Sequence, residues 1–139
     1  MDSLIQNVRT FRQRSDAWEG SILGYLRHCF ELARPDEERF HVVFLDHDRR
    51  YRDDCILTCG SGVHLPVRLR DVFARALQQD ARNLVVAHNH PSGDCRPSDA
   101  DLSATTRLRE IGQALDIELL DHLIFTREKV YSMRAGGKL

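Results

Sequence analysis

Residues 84–87, "LVVA", are four apolar residues set between "QQDARN" and "HNHPSGD". The run is too short for an ordinary helix and too apolar for a half-exposed strand, so it reads as a central strand covered on both faces. Such a strand needs helices on both sides of the sheet that contains it, and the flanking sequence supplies them.

Upstream, Ile22, Leu23, Leu26, Cys29, Phe30 and Ala33 recur at helical intervals, with Ser21 as the expected N-cap and Pro35 as the stop. "RFHVVFLD" reads as a buried strand, "HDRR" as a turn and "YRDDCILTCG" as the returning strand, after which Gly60 and Gly62 open a loop. In "RLRDVFARALQQDARN", Leu69, Val72, Phe73, Ala76 and Leu77 share one face of an amphipathic helix. Downstream of "LVVA" a helix is expected over 98–115, with Leu102, Thr105, Leu108, Ile111 and Leu115 as its buried stripe. "IELLDHLIF" is then a strand, "TREK" a turn and "VYSM" a last short strand. The order helix, two strands, helix, strand, helix, two strands predicts an α/β fold with helices packed on both faces of a mixed sheet.

A chain of 139 residues is the size of one domain. No repeat, linker or low-complexity tract divides it. Residues 1–20 have weak periodicity and are expected to form an arm or a short helix, leaving 21–139 as the domain proper. A core of this size needs no metal or disulfide to fold, so a bound metal would serve chemistry. The net charge of −1 argues against a surface built wholly for duplex DNA. Cys29, Cys55, Cys59 and Cys95 do not form a disulfide framework or a C-x-x-C pair, and are read as thiols in a reducing cytoplasm. The start, "MDSLIQNVRTF", is too polar for a secretory signal, and no apolar run is long enough to span a membrane.

The stretch "HNHPSGDCRPSDAD", 88–101, carries the chemistry. His88 and His90 are two apart, so on a continuing strand both imidazoles point to one side, about 7 Å apart along the backbone. Pro91, Ser92 and Gly93 end the strand. Ser98 and Asp101 have the spacing of a capping box at a helix start, where the helix dipole also favours an anion. That helix start follows the central strand, so it lies at the same edge of the sheet as the two histidines. Two readings stand side by side: a polar turn with a capped helix, or two His and one carboxylate around a catalytic metal with an open position. A metal-activated water would need a base, and Glu31, Glu37 and Glu38 are the candidates near the start of the first strand. Glu38 shares a face with Phe40 and Val42, whereas Asp36 and Glu37 fall on the turn after Pro35.

At these residues the chain resembles the RadC-like proteins, a bacterial branch of the JAB/MPN domains that carry the JAMM metal motif. The match is Glu38, then His88-x-His90, seven residues, Ser98, two residues and Asp101, with "HNHPSG" close to a fingerprint of the branch. It extends to "FLD" at 44–46, "RDVFARAL" at 70–77, "LLDH" at 119–122 and "VYSM", covering residues 36–137. The resemblance implies a three-layer α/β/α sandwich around a mixed sheet, similar to cytidine deaminase. It implies that His88, His90 and Asp101 bind zinc, and that Glu38 deprotonates the zinc-bound water and later protonates the leaving amine. It gives Ser98 an oxyanion role, compatible with capping because the hydroxyl can accept through its lone pairs while donating its proton. The activity implied is that of a zinc metallopeptidase acting on peptide or isopeptide bonds.

Two features depart from the family. Its members commonly carry an N-terminal helix-hairpin-helix region, whereas residues 1–35 contain no glycine-centred hairpin. "GSGVHLPVRLRDV" also lacks the usual "HPREV" form. The first counts against the DNA-repair role of the family's traditional label; the second leaves one wall of the cleft undefined.

Other polar residues have a functional and a plainer reading. Asp121–His122 could orient a metal ligand or be a satisfied polar pair at a strand bend. His64 could line the cleft or be a solvated loop residue. Cys95 borders the site but is a loop residue on the plainer reading. His28, His41 and His47 are expected to be structural or exposed. Asn89 should face away from the metal and fasten the turn, and Trp18 should anchor the N-terminal segment or an interface, should the protein form a homodimer. The expected function is therefore a zinc-dependent hydrolase of a peptide or protein substrate. The alternatives are a DNA-associated protein, supported by Arg9, Arg12 and Arg14, and a non-catalytic interaction module. A deaminase is excluded because residue 90 is His where H-x-E is required, and no C-x-x-C follows.

Overall fold

The computed structural model describes residues 18–59 and 68–139. The expected N-terminal arm with Arg9, Arg12 and Arg14, and the Gly60–Gly62 loop with His64, fall outside them, as does the side chain of Trp18. Helix α1 (Trp18–Glu31) precedes strands β1 (Glu38–Leu45) and β2 (Tyr51–Cys59), helix α2 (Leu69–Gln78) and strand β3 (Asn83–Asn89). Helix α3 (Asp99–Ala114), then strands β4 (Glu118–Phe125) and β5 (Val130–Ser132), complete the chain. Element order and type agree with the sequence reading. One boundary differs: α1 begins at Trp18, so Ser21 is an interior residue and not the N-cap. A serine inside a helix costs only a few tenths of a kcal/mol. Burial of Ile22, Tyr25, Leu26 and Cys29 against the sheet offsets that and the presence of Gly24.

The five strands lie in the order β2-β1-β3-β4-β5. β1 is antiparallel to both β2 and β3, β3 and β4 are parallel, and β5 is antiparallel to β4. The sheet is mixed, as expected, and "LVVA" is its central strand, with Leu84, Val85, Val86 and Ala87 all buried. Strand alternation then divides the core. Val43, Leu45, Val85 and Ala87 face α1, together with Leu120, Leu123 and Phe125. Phe40, Val42, Phe44, Leu84 and Val86 face Val72, Phe73 and Ala76 of α2 and Leu108 of α3. The result is a three-layer α/β/α sandwich with, among the described residues, one helix on one face and two on the other.

Two features hold the layers in register. On the α1 face, the Asp54 carboxylate accepts from His41 Nε2 at 2.6 Å, from Tyr25 OH at 2.6 Å and from Tyr51 OH. This polar knot links α1, β1 and β2, and gives the buried His41 the structural role expected of it. At the end of α3, the backbone of Gly112 is so close to Ile117 that a Cβ would lie 2.5 Å from the Ile117 carbonyl oxygen. Only glycine lets α3 turn this tightly into β4.

The topology decides where chemistry can occur. The C-terminal ends of parallel β3 and β4, the N-terminal end of antiparallel β1 and the first turn of α3 all meet at one edge of the sheet. Clefts in open α/β sheets form at such edges.

Candidate metal centre

His88 is the penultimate residue of β3, and His90 follows the strand by one residue while keeping the ladder, its N–H donating to Phe125 O at 2.8 Å. The period of two is therefore retained and both imidazoles reach the same face. α3 starts at Ser98 with a complete capping box: Ser98 Oγ accepts from Asp101 N at 3.1 Å, and Asp101 Oδ2 accepts from Ser98 N at 2.9 Å. The capping reading is thus realised, and it directs the Asp101 carboxylate at the histidines. His88 Nε2 lies 2.8 Å from His90 Nε2 and 3.2 Å from Asp101 Oδ1, while His90 Nε2 lies 3.1 Å from Asp101 Oδ2.

The hydrogen bonds behind these residues assign the tautomers. Thr105 Oγ1 has one proton and donates it to the Asp101 carbonyl at 2.7 Å, which can only accept. Its lone pairs then receive His122 Nδ1–H at 2.6 Å. His122 is fully buried, and burial followed by the proximity of His88 drives its pKa well below the usual imidazole value, so it is neutral. Its unprotonated Nε2 accepts from His88 Nδ1–H at 2.7 Å. The chain therefore leaves the lone pair of His88 Nε2 directed into the site. His90 reaches the same state by a shorter route, because its Nδ1–H donates to the Asp94 carbonyl at 2.7 Å.

Two imidazole lone pairs facing each other at 2.8 Å, beside a carboxylate, repel unless a positive charge lies among them. A proton can supply it: the hydrogen bond to Asp101 raises the His90 pKa against the opposing effect of burial, and Glu38 adds a charge contribution. For Asp101, burial pushes the pKa up, but hydrogen bonds from His88 and His90 outweigh it and hold the carboxyl far below its usual range. A divalent cation satisfies all three donors at once. Ligands around a tetrahedral zinc are about 3.3 Å from one another, close to the spacings found here. His88, His90 and Asp101 form a cluster of potential ligands with an N, N, O donor set. A second group, Asp46, His47 and Asp48, is an exposed turn in which Asp46 Oδ1 already accepts from two backbone amides.

The three candidate bases separate clearly. Glu31 is exposed and lies 4.0 Å from His28. Glu37 is committed to Arg39, which donates to it at 3.1 Å, and to the amide of Arg34. Glu38 opens β1 on the face of Phe40, whose ladder partner is His88, and is half-buried. Asn89 accounts for its placement: Asn89 Oδ1 accepts from Arg39 N at 2.7 Å and its Nδ2 donates to Glu37 O at 2.8 Å. One side-chain amide thus clamps the peptide groups on either side of Glu38. The expectation that Asn89 faces away from the ligand side is met, but what it fastens is β1.

The Asp121–His122 pair divides between its two readings. His122 abuts His88, whereas Asp121 accepts from Ser132 Oγ and from the backbone of Arg134, securing the turn after β5. Thr105 had been legible only as part of the buried stripe of α3. The available signal was a hydroxyl four residues after Asp101 in an otherwise aliphatic row. Cys29, Cys55 and Cys95 are free thiols, and Cys95 does not join the cluster.

A family model for the RadC-like JAB domain matches residues 20–138. The chain belongs to this family. The RadC-like JAB domain is 40% identical over 123 residues to a UPF0758 protein of Rhodobacter capsulatus, covering 88% of this chain and 56% of that one. It is 38% identical over 128 residues to a UPF0758 protein of Ruegeria pomeroyi, covering 92% and 56%. A UPF0758 protein of Thermotoga maritima is 35% identical over 113 residues, covering 81% and 51%. The chain spans about half the length of the curated relatives it matches. No helix of the described RadC-like JAB domain is long and apolar enough to cross a membrane.

Proposed function

We propose that this RadC-like JAB domain is a zinc-dependent hydrolase of peptide or isopeptide bonds, with His88, His90 and Asp101 as the zinc ligands. One observation carries the reading: both histidines have their Nδ1–H groups engaged, and their Nε2 lone pairs converge on one another and on a carboxylate. Zinc bound there would polarise a water and the substrate carbonyl. Glu38 takes the proton from the attacking water and returns it to the departing amine. Asn89 holds Glu38 at the site through the two flanking peptides. Ser98 accepts from the α3 amide through a lone pair, which leaves its O–H to donate to the carbonyl oxygen as charge develops. Cys29, Cys55 and Cys95, free thiols among the described residues, support a reducing compartment, the cytoplasm.

The test has two parts. The wild type should bind about one zinc per chain, and His88→Ala should not. A peptide and isopeptide cleavage screen should give turnover that chelation abolishes and that Glu38→Gln loses while keeping zinc. A wild-type protein that binds no zinc above background removes the proposal.

A further inference from the structure

β3 and β4 end and β1 begins at the site edge, and on the α1 side of that edge lies a cleft of about 630 Å³. This is within the range of about 300–1,000 Å³ typical of ligand sites. Its walls are the end of α1, the segment after it, and the β4–β5 turn, and its inner end is formed by Asn89, His90 and Pro91. His90 belongs to both places: its Nε2 faces Asp101, and the residue also lines the cleft.

The cleft has an apolar floor and a positive rim. Phe30 is half-buried and packs on Phe125 with ring centroids 5.0 Å apart. Four cations line it: Arg27, Arg34, Arg127 and Lys129. Arg27 is committed to the fold, since its guanidinium donates to the carbonyls of Thr126 and Arg127 and covers the Phe125 ring at 4.9 Å. Arg34, Arg127 and Lys129 are exposed, and among the described residues none of them forms an ion pair. The acidic residues of the cleft are Glu31, which lies beside His28, and Glu128. In a chain of net charge −1, three uncommitted cations around one cleft are a local feature and not part of a generally basic surface.

We infer that this cleft binds a carboxylate-bearing segment of a peptide, lying alongside His90, so that acidic residues next to the scissile bond select the substrate. The inference rests on the hydrolase reading for the word substrate, but the binding site stands on the cleft alone. A peptide is favoured over a nucleic acid on two grounds. The Phe125 face is already covered by Arg27, so the cleft offers one half-buried ring, Phe30, and not the series of open rings on which successive bases stack. A nucleic acid strand also needs a continuous basic track, whereas two carboxylates, Glu31 and Glu128, interrupt the cations of this cleft.

The experiment uses the full chain and a labelled, N-acetylated hexapeptide rich in Glu, with a Lys-rich peptide and a short oligothymidine as comparison probes. Anisotropy titrations should show the Glu peptide binding at least about tenfold more tightly than the Lys peptide and the oligothymidine, weakening as salt rises. Arg127→Glu with Lys129→Glu, both on an exposed turn, should weaken the Glu peptide by about tenfold or more. Thermal unfolding checks that the double variant is folded; should it not be, Arg34→Glu provides the same reversal from the opposite wall. Arg107→Glu, an exposed charge reversal on α3 and outside the cleft, should leave peptide binding unchanged. A zinc-binding protein with no preference for the Glu peptide overturns this inference alone. Peptide binding without any zinc affinity overturns the hydrolase reading alone. Tighter, cleft-dependent binding of the oligothymidine assigns the cleft to nucleic acid and also overturns the inference.

Discussion

Thr105→Val is a nearly isosteric change far from solvent, and it tests whether the metal centre is organised by the chain that runs through His122. Thr105, His122 and His88 are 2%, 1% and 1% exposed, so no water replaces a lost partner. The valine removes the acceptor of His122 Nδ1–H but leaves the helix backbone intact. A buried donor left without a partner costs about 1–3 kcal/mol, which should appear as a lower denaturation midpoint. The larger consequence is at the metal. With its Nδ1–H unpaired, His122 can regain a partner only as the Nε2–H tautomer, which then opposes His88 Nδ1–H at 2.7 Å. His88 must lose that bond or shift its own proton to Nε2, the atom assigned to zinc. Loss of such a supporting partner typically weakens metal affinity by about 10–100-fold, or about 1.4–2.8 kcal/mol. The assay is competition for zinc against a chromophoric chelator, with long-range nitrogen NMR reporting the tautomers of His88 and His122 in the metal-free protein. Thr105→Ser should restore both. Wild-type zinc affinity in Thr105→Val, with His88 still protonated at Nδ1, would refute the reasoning.

Two further outcomes follow from the same hydrogen-bond inventory. Asn89→Ala should retain zinc but reduce turnover by about 10–100-fold, because the base is displaced while the ligands are not; Asn89→Asp, which keeps only the acceptor for Arg39 N, should be intermediate. An equal loss of zinc affinity would show that Asn89 supports the whole edge and not Glu38 in particular. The Asp54 knot should make stability pH-dependent. Burial pushes the Asp54 pKa up, but the bonds from His41, Tyr25 and Tyr51 outweigh it and lower the value in the folded state. A lowered folded pKa means the contribution is present above the unfolded value of about 3.9 and is lost as pH falls through the folded value. Asp54→Asn should therefore cost about 1–3 kcal/mol at pH 7, with the gap to wild type narrowing below about pH 4 in urea titrations. A gap that stays constant down to pH 3 would show that the carboxylate charge is irrelevant.

Some of this was readable directly from local pattern. Short apolar runs against helical stripes gave element types and order, because burial imposes periods of 2 and 3.6 that no other arrangement satisfies. His88 and His90 share a face for the same reason, and Ser98 and Asp101 cap α3 through contacts three residues apart. The proximity of Glu38 was weaker. Its parity with Phe40 was legible, but that Phe40 faces His88 is a matter of ladder register between strands about fifty residues apart.

The role of His122 could not have been decided by alternation. β4 shifts register by one residue, with Leu84 opposite Leu119 but Val85 opposite Asp121. Leu119 and His122, three apart, therefore both serve the α2–α3 side of the sheet, while Leu120 packs towards α1. Nothing local in "ELLDHLIF" encodes that shift. The sequence by itself determined which residues could bond to a metal and which short segments would present them, since those are short-range consequences of backbone geometry. Tertiary structure alone decided which ring nitrogens are free, what holds Glu38, and which cations remain unpaired beside His90. Hydrogen bonds between distant segments have no sequence period, and they exist only once the layers have closed.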